Sequence, residues 1–279
     1  MKKFLALAMA LAMVMSLAAC GNSSSSSAGT SSSNNSSASQ SDASSSGDTS
    51  STGELTTIVE GKLIMSTNAA FPPYEMTDDN GNVVGIDADI AAAIAEKLGL
   101  ELQIEDMDFD SALLAVQQGK SDMVMAGVSV DPEREAVMDF STSYATGVQV
   151  VIVKEGSDVT LDNLGEQLIG TQRGTTGEIY CTDDYGADHV AAYDNGISAV
   201  QALMNDQVDC VVIDQAPALE FVAANPGLTT LETEYANEDY AIGVNKGNTA
   251  LLDAINNALA ELTADGTIQS ILDSYISAE

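Results

Sequence analysis

The chain has 279 residues, with 42 acidic side chains against 9 basic ones, so its formal net charge is −33. This charge argues against nucleic-acid binding and against electrostatic adhesion to an anionic membrane surface. One histidine and three cysteines, without any metal-ligand spacing, argue against a metal site, and we expect no cofactor.

The N-terminus has the pattern of a bacterial secretion signal. Lys2 and Lys3 precede an apolar run over residues 4–17, which suits a signal peptide and is too short for a comfortable membrane span. Small residues then lead into Cys20, an arrangement that resembles the lipobox of bacterial lipoproteins; a secretory signal with an incidental cysteine is the alternative. We expect a signal peptide over residues 1–19, a lipid on Cys20 and an extracytoplasmic protein anchored to the cell membrane.

Residues 20–53 contain this cysteine and a serine-rich segment that has no large apolar side chain. Such a composition cannot bury enough surface to offset the entropy of ordering, which predicts a flexible linker. A coil of this length spans roughly 30 Å, from about 5–6 Å times the square root of its residue number. The linker would let a globular head reach a partner in the bilayer, although a plain wall spacer fits the composition equally well.

From residue 54 onward, strand and helix patterns alternate in two similar units. The first unit predicts strands at 62–66, 102–104 and 123–126 and helices at 87–98 and 110–118, each helix followed by glycine. The second predicts strands at 148–153, 168–170, 189–192 and 210–213, with helices from 176 and over 195–204. A strand at 240–244 and helices at 251–262 and 268–276 follow. This order indicates an α/β fold with parallel sheets.

Crossings near residues 147 and 240 predict two lobes joined by a hinge. Lobe one would comprise 54–147 plus 241–279, and lobe two would comprise 148–240. Open α/β sheets bind ligands beyond the carboxyl ends of their strands, so we expect the site in the cleft between the lobes. Cys181 and Cys210 both fall in lobe two, as a disulfide or as two buried thiols.

Arg134 is one of only two arginines in the chain, and it follows a helix start. Asp131 suits an N-cap and Pro132 the first helical position, so the free N–H groups there are expected to favour an anion. Arg134 could then grip a carboxylate with two hydrogen bonds. The alternative is that it pairs with Asp131, Glu135 or Asp139.

Lobe two offers a counterpart in the strand and turn that spell LIGTQRGTTG at 168–177. This turn opens a helix and exposes N–H groups, but it lacks the lysine of a phosphate loop. Asp214 lies at the carboxyl end of the strand predicted at 209–213. An acid there would suit an ammonium group or would cap the next helix. Together, two anion-holding helix starts, an arginine and an acid match the charges of an α-amino acid.

Several stretches resemble the family 3 solute-binding proteins of polar amino acid ABC transporters. They are TNAAFPPYE (67–75), GIDADIAAAIAEKLG (85–99), MDFDSALLAVQQGKSDMVMAG (107–127), VSVDPEREAVMDFS (128–141), QRGTTGE (172–178) and VDCVVIDQAPA (208–218). Their order and spacing cover nearly the whole domain. The resemblance implies a two-lobed, type II periplasmic-binding-protein-like fold.

The resemblance also implies a role for each matching residue. Arg134 would hold the ligand carboxylate, assisted by Ser129 and by the turn at Thr175 and Thr176. Asp214 and the carbonyl of Gly127 would hold the ammonium. Phe71 and Phe109 would form aromatic walls, with core packing as their alternative, while Asn68 and Gln172 would line the side-chain pocket. The Thr-Thr-Gly turn leaves open which hydroxyl reaches the carboxylate, and Arg173 is expected at the surface or cleft rim.

The resemblance implies a binding protein, not an enzyme, that closes around an amino acid and delivers it to an ABC permease. We expect a monomer. A sensory domain is one alternative. A dehydratase on the same fold is another; it would need a general acid or base beside the ligand, and the sequence offers no obvious one beyond Asp214 and Glu178. Binders of cationic amino acids often have an acid at the Asn68 position, which predicts a neutral, partly polar ligand here. A cationic one would be held by the aromatic faces or by Glu75 or Asp110 instead.

Overall fold

The computed structural model describes residues 55–231 and 234–276, which belong to one compact unit spanning residues 50–279. Its strands are β1 (Lys62–Thr67), β2 (Ala70–Phe71), β3 (Glu75–Thr77), β4 (Val83–Val84), β5 (Glu101–Asp106), β6 (Met123–Val124), β7 (Met138–Phe140), β8 (Ala145–Lys154), β9 (Ile169–Gln172), β10 (Val190–Tyr193), β11 (Cys210–Asp214), β12 (Leu228–Thr230), β13 (Ala236–Tyr240) and β14 (Gly243–Asn245). Its helices are α1 (Ile86–Leu98), α2 (Phe109–Gln117), α3 (Pro132–Val137), α4 (Thr176–Tyr185), α5 (Gly196–Met204), α6 (Gln215–Ala224), α7 (Thr249–Ala264) and α8 (Thr267–Tyr275). The signal peptide and the linker predicted from the sequence, including Cys20, lie outside the described residues.

These elements confirm the predicted α/β class, with three local corrections. The strand expected at 240–244 is two strands, because β13 ends at Tyr240 and β14 begins at Gly243 in a different sheet. His189 ends a short 3-10 helix instead of opening β10, and β6 is only two residues long. None of the helices in residues 55–231 and 234–276 is long and apolar enough to cross a membrane.

Lobe one is built on a five-stranded sheet with the order β5-β1-β6-β14-β7. The apolar strand β1 is buried along almost its whole length and pairs in parallel with β5 and β6. Helix α1 packs against α7 and α8, which follow β14 in the chain. The C-terminal segment therefore returns to complete the lobe that the first described residues begin.

Lobe two is built on a sheet with the order β10-β9-β11-β8-β12, and β13 also pairs with β8. Strands β10, β9 and β11 are parallel, whereas β8 runs antiparallel to β11. The carboxyl ends of β9 and β11 therefore lie together, at Gln172 and Asp214. The lobe limits expected near residues 147 and 240 remain a prediction; the first falls within β8 and the second at the end of β13.

Cys181 and Cys210 are free, fully buried thiols that share one apolar cluster of lobe two. Burial raises the pKa of each thiol to about 12, which leaves both protonated and unreactive. Of the two arrangements that the sequence left open, this structure has the buried thiols.

A small antiparallel sheet, β2-β3-β4, leads the chain into α1. Gly85 precedes the helix with φ 130°, and a Cβ there would stand 2.3 Å from the carbonyl oxygen of Tyr74. The N–H of Asp87 donates to that same carbonyl at 2.9 Å. Because only glycine permits this close approach, Gly85 brings Glu75, the neighbour of Tyr74, to the first turn of α1.

We predict that Gly85→Ala lowers the free energy of unfolding by about 3 kcal/mol or more, from backbone strain and overlap with Tyr74. Gly99→Ala is the matched control, because Gly99 also has a positive φ, 67°, but a Cβ there meets nothing within 4 Å. It should cost about 1–2 kcal/mol. Urea denaturation measures both, and equal losses would show that the contact with Tyr74 is unimportant.

Candidate functional site

A cavity lies between the two lobes. All ten residues that the sequence nominated for ligand binding line it: Asn68, Phe71, Phe109, Gly127, Ser129, Arg134, Gln172, Thr175, Thr176 and Asp214. Five further residues line the cavity and were not nominated from the sequence as ligand-binding residues: Glu75, Ala126, Gln149, Ile213 and Tyr240. The structure thus brings the nominated residues together, while their contacts with a ligand stay a prediction.

Helix α3, which contains Arg134, does not offer the anion site that the sequence predicted at its N-terminus. Helix α3 has only six residues, and Asp131 caps it by accepting from the N–H groups of Glu133 at 2.8 Å and Arg134 at 3.1 Å. The N–H groups expected to be free are therefore already bonded. Any anion held here must be held by the Arg134 side chain.

The guanidinium of Arg134 is buried and held on three sides. Its Nε lies 3.1 Å from Oδ2 of Asp131, Nη1 donates to the Ser129 carbonyl at 2.8 Å, and Nη2 donates to the Gly174 carbonyl at 3.0 Å. It also lies 5.4 Å from the centre of the Phe109 ring. Arginine has five N–H donors, and the two carbonyls take two of them, while the contact with Oδ2 of Asp131 is an ion pair without hydrogen-bond geometry, so donors remain for a ligand. The pairing with Asp131 and a carboxylate-binding role are therefore compatible.

The turn that opens α4 faces Arg134 from lobe two. Oε2 of Glu178 accepts from the N–H of Gly174 at 2.6 Å, and the Thr175 hydroxyl donates to the Gln172 carbonyl at 2.8 Å. The Thr176 hydroxyl instead lies 3.4 Å from the hydroxyl of Ser129. Because Thr175 is occupied within the turn, Thr176 is the threonine whose hydroxyl stands beside Ser129 and the start of α4.

Asp214 ends β11 and lines the cavity from lobe two. One carboxylate oxygen caps α6 by accepting from the Ala216 N–H at 3.1 Å, as one interpretation of the sequence expected. The other, Oδ2, is buried and has no donor in hydrogen-bonding geometry within the described residues, although the Tyr240 hydroxyl lies near it. Burial raises the pKa of Asp214 to about 6, and the nearby Tyr240 hydroxyl opposes the shift. One oxygen serves the fold and the other is left to accept from a ligand.

Glu75 is the cavity residue of greatest consequence that sequence reasoning did not place. It is 0% exposed, and neither of its carboxylate oxygens meets a donor within the described residues. Asp87, also 0% exposed, lies behind it and accepts from the Gly127 N–H at 3.0 Å. Burial, with Asp87 nearby, raises the pKa of Glu75 well above its usual range. The sequence named Glu75 only as a possible partner of a cationic ligand, as the last residue of the matched stretch 67–75.

Direct hydrogen bonds join the lobes across the cavity. Gln172 donates to Asn68 at 3.0 Å, in addition to the Arg134–Gly174 and Ser129–Thr176 contacts. Asn68 in turn donates to the Met107 carbonyl at 2.9 Å. Both ends of the Asn68 amide are therefore used within the protein, so its place in the lining serves lobe closure at least as much as ligand contact.

Arg173 lies at the cleft rim, where the sequence placed it. Its side chain is 52% exposed and donates to the Ala192 carbonyl at 3.0 Å. Across the rim, an oxygen of Asp110 fills the space beside Gly174, 1.7 Å from where a Cβ would stand. This edge of lobe one therefore packs on a position of lobe two that only glycine can occupy. Within residues 55–231 and 234–276, no group of three or more His, Cys, Asp or Glu side chains is arranged to hold a metal ion.

The known proteins to which this chain is similar include several that are named as amino-acid-binding proteins. The chain is 33% identical to the ABC transporter arginine-binding protein 1 of Escherichia coli K12, over 77% of this chain and 90% of that protein. It is 28% identical to the L-cystine-binding protein TcyJ of the same strain, over 78% and 84%. An ancestral arginine-binding protein has been solved with arginine (40% identity, TM-score 0.73, 78% and 99% coverage) and with glutamine (39%, 0.75, 79% and 100%).

These similarities extend across the whole described domain. Structural neighbours of this kind are two-lobed amino-acid-binding proteins, which confirms the predicted type II periplasmic-binding fold. The profile of the bacterial extracellular solute-binding proteins, family 3, matches residues 63–278. The chain therefore belongs to family 3 of the bacterial extracellular solute-binding proteins.

Proposed function

We propose that the protein captures an α-amino acid with a cationic side chain between its lobes, for delivery to an ABC importer. Arg134 holds the carboxylate through its remaining N–H donors. Ser129 and Thr176 lie beside it, and the Ser129 hydroxyl is itself held by Oε2 of Glu238, to which it donates at 3.0 Å. The free oxygen of Asp214 and the carbonyl of Gly127 hold the ammonium. The buried, opposite charges of Arg134 and Asp214 on facing lobes support this orientation.

The observation that carries the cationic assignment is the chemistry of the unsatisfied lining atoms. Buried lining atoms without a partner in the described residues are all acceptors: both oxygens of Glu75, Oε1 of Gln149 and Gln172, and Oδ2 of Asp214. A guanidinium offers five donors and no acceptor, and an ammonium offers three. A donor-rich side chain would satisfy oxygens that are otherwise costly to bury.

The charges of the lining support the same conclusion. Arg134, Asp214 and Glu75 are the charged side chains that line the cavity in the described residues. The carboxylate and the ammonium of an α-amino acid pair with Arg134 and Asp214. Neither of these two ligand groups pairs with Glu75. The acids that raise the Glu75 pKa are Asp87 and Asp106, whereas the Asp214 pKa responds to Glu238. Glu75 enters the cavity from β3 of lobe one and Asp214 from the end of β11 of lobe two, and Glu75 is left for a side-chain cation.

A neutral, partly polar amino acid is the second candidate, as the amide at Asn68 suggested. It is favoured by Gln172 and by the ancestral relative that was solved with glutamine. We rank it lower because Asn68 is hydrogen-bonded at both ends within the protein, while Glu75 supplies the acid that seemed to be missing. Among the relatives, the arginine-binding proteins fit the cationic proposal and the cystine-binding protein does not decide between the two.

The proposal assigns binding and delivery to a permease, without a chemical step. Glu178, one of two candidate acids for a dehydratase, is bonded to the Gly174 N–H and is absent from the cavity lining. We further propose that the protein acts as a monomer anchored outside the cytoplasm by a lipid on Cys20. Sensing of an amino acid, as an alternative to transport, would use the same site.

Arg134→Ala should abolish measurable amino-acid binding, because the carboxylate loses its charged partner in a closed cleft. Losing such a buried pair costs about 2–5 kcal/mol of binding free energy. Arg173→Ala is the matched control, since it removes the other arginine from an exposed site and should change the affinity little. Isothermal calorimetry compares the two; similar losses would remove Arg134 from its proposed role.

In a thermal-shift screen, arginine or lysine should stabilise the protein more than glutamine, cystine, serine or leucine. A ligand at a hundred times its Kd adds about 2.7 kcal/mol to the free energy of unfolding. The expected order follows from pairing Glu75 with a side-chain cation. A clear preference for a neutral amino acid would reject the cationic assignment and leave the amino-acid site itself intact.

Cys20→Ser should move the protein from the membrane fraction to the soluble fraction, because the variant cannot carry the proposed lipid. Ligand affinity should stay unchanged, since the serine-rich segment separates Cys20 from the cavity in sequence. Fractionation of cells that produce each form measures this. A variant that stays in the membrane fraction would mean that the anchor is not a lipid on Cys20.

A further inference from the structure

The Glu75–Asp87 pair has an arrangement that the binding of an amino acid alone does not explain. Both carboxyl groups are 0% exposed, and the Asp87 N–H donates to the carbonyl of Tyr74, the residue before Glu75, at 2.9 Å. Both oxygens of Glu75 and Oδ1 of Asp87 are buried without a partner in the described residues. Two ionised carboxylates cannot donate to each other, so a hydrogen bond between them requires a proton on one. Placing two buried like charges side by side is also strongly unfavourable. The pair must therefore hold a proton when no cation is nearby.

The surroundings decide which partner carries that proton. Asp87 accepts from the Gly127 N–H at 3.0 Å, and this bond and the nearby Tyr144 hydroxyl both lower the Asp87 pKa and so favour its ionised form. Its pKa is accordingly raised only to about 6, with burial as the cause. Glu75 has no donor in the described residues except a protonated Asp87, and its pKa is raised further. The proton therefore resides mainly on Glu75, which is the member that lines the cavity.

Within residues 55–231 and 234–276, no lysine or arginine is among the groups that shift the pKa values of the pair. The groups that shift the two pKa values are Asp106 from β5, the Tyr144 hydroxyl, the Gly127 N–H and the carboxyl groups themselves. Tyr74 lies next to Glu75 in the chain, and burial raises the pKa of its hydroxyl, so it stays neutral. On α1, the other nearby acid, Asp89, is exposed and accepts from the Tyr275 hydroxyl. The missing cation must come from the ligand.

We propose that binding of a cationic side chain at Glu75 expels the proton shared by Glu75 and Asp87, so that ligand capture is an exchange of a cation for a proton. The proton leaves Glu75 for the solvent, and the ligand ammonium or guanidinium takes its place beside the two carboxylates. The exchange rests on the cationic ligand of the proposed function and adds a pH dependence to it. A neutral ligand would leave the proton where it is.

The sign of the pH dependence follows from this exchange. Because binding releases a proton, affinity for a cationic amino acid rises with pH while the free pair is protonated, by up to about tenfold per pH unit. The rise ends once the free pair has already lost its proton. Asp214, with a pKa of about 6, also titrates. It meets the ammonium of every amino acid, so a comparison of two ligands cancels its contribution.

The test is calorimetry of the full protein with L-arginine and L-glutamine, in phosphate and in Tris at the same pH. The two buffers differ in their enthalpy of protonation, so the difference in measured heat counts the protons released. We expect arginine to release close to one proton more than glutamine at pH 7. If glutamine binds too weakly to measure, lysine should match arginine, and Glu75→Gln then supplies the comparison.

Glu75→Gln should abolish the extra proton release and flatten the pH dependence of arginine affinity between pH 5 and 7, as should Asp87→Asn. Asp89→Asn is the control, because it makes the same change two residues away on α1 and should release the proton as the unmodified protein does. The buffer comparison on the unmodified protein needs no variant to fold. Arginine that binds tightly without proton release would overturn the exchange and leave the proposed function standing. Preference for glutamine would overturn both.

Discussion

The constraint on which this structure depends is that charges buried between two lobes need partners. Arg134, Asp214 and Glu75 all reach one closed cavity, and their neighbours satisfy them only in part. Arg134 keeps unused N–H donors, while Oδ2 of Asp214 and both oxygens of Glu75 are buried without a hydrogen-bond partner in the described residues. Burying an unpaired charge is costly, so the arrangement favours a ligand that carries the complementary charges. The hydrogen-bonding groups that the lining leaves without a partner therefore favour one class of ligand.

The two lobes divide the task. Lobe one holds Arg134 rigidly through Asp131 and the Ser129 carbonyl, and lobe two supplies Asp214 from the carboxyl end of β11. Neither lobe alone encloses the ligand, so binding and closure are one event. The same guanidinium that would hold the carboxylate also donates to the Gly174 carbonyl of lobe two. This shared use of Arg134 couples ligand capture to contact between the lobes.

The acidic residues at the cleft differ in their environment from the other acidic residues of the chain. Most of the acidic residues that lie outside it are solvated, and they explain solubility more than function. The buried pair of Glu75 and Asp87 is different, because water does not screen it and no lysine or arginine in the described residues shifts its pKa values. Low dielectric strengthens both its repulsion and its attraction for a cation. A single pair can therefore link ligand charge to pH.

The sequence by itself determined the order of elements and the α/β class, because apolar periodicity and the glycines after helices are signals that are local in the chain. The nomination of Arg134, Thr176 and Asp214 began from polar residues at helix starts and at a strand end, whereas residues such as Phe71 and Asn68 were nominated through the family resemblance. All ten nominated residues line the cavity, and their contacts with a ligand remain a prediction. Only the tertiary structure decided how each polar atom is used. Asp131 occupies the N–H groups of α3, Asn68 bonds across the cleft, and Gly85 folds the chain so that Glu75 meets Asp87. Burial and hydrogen-bond partners are set by residues distant in sequence, so no local pattern records them.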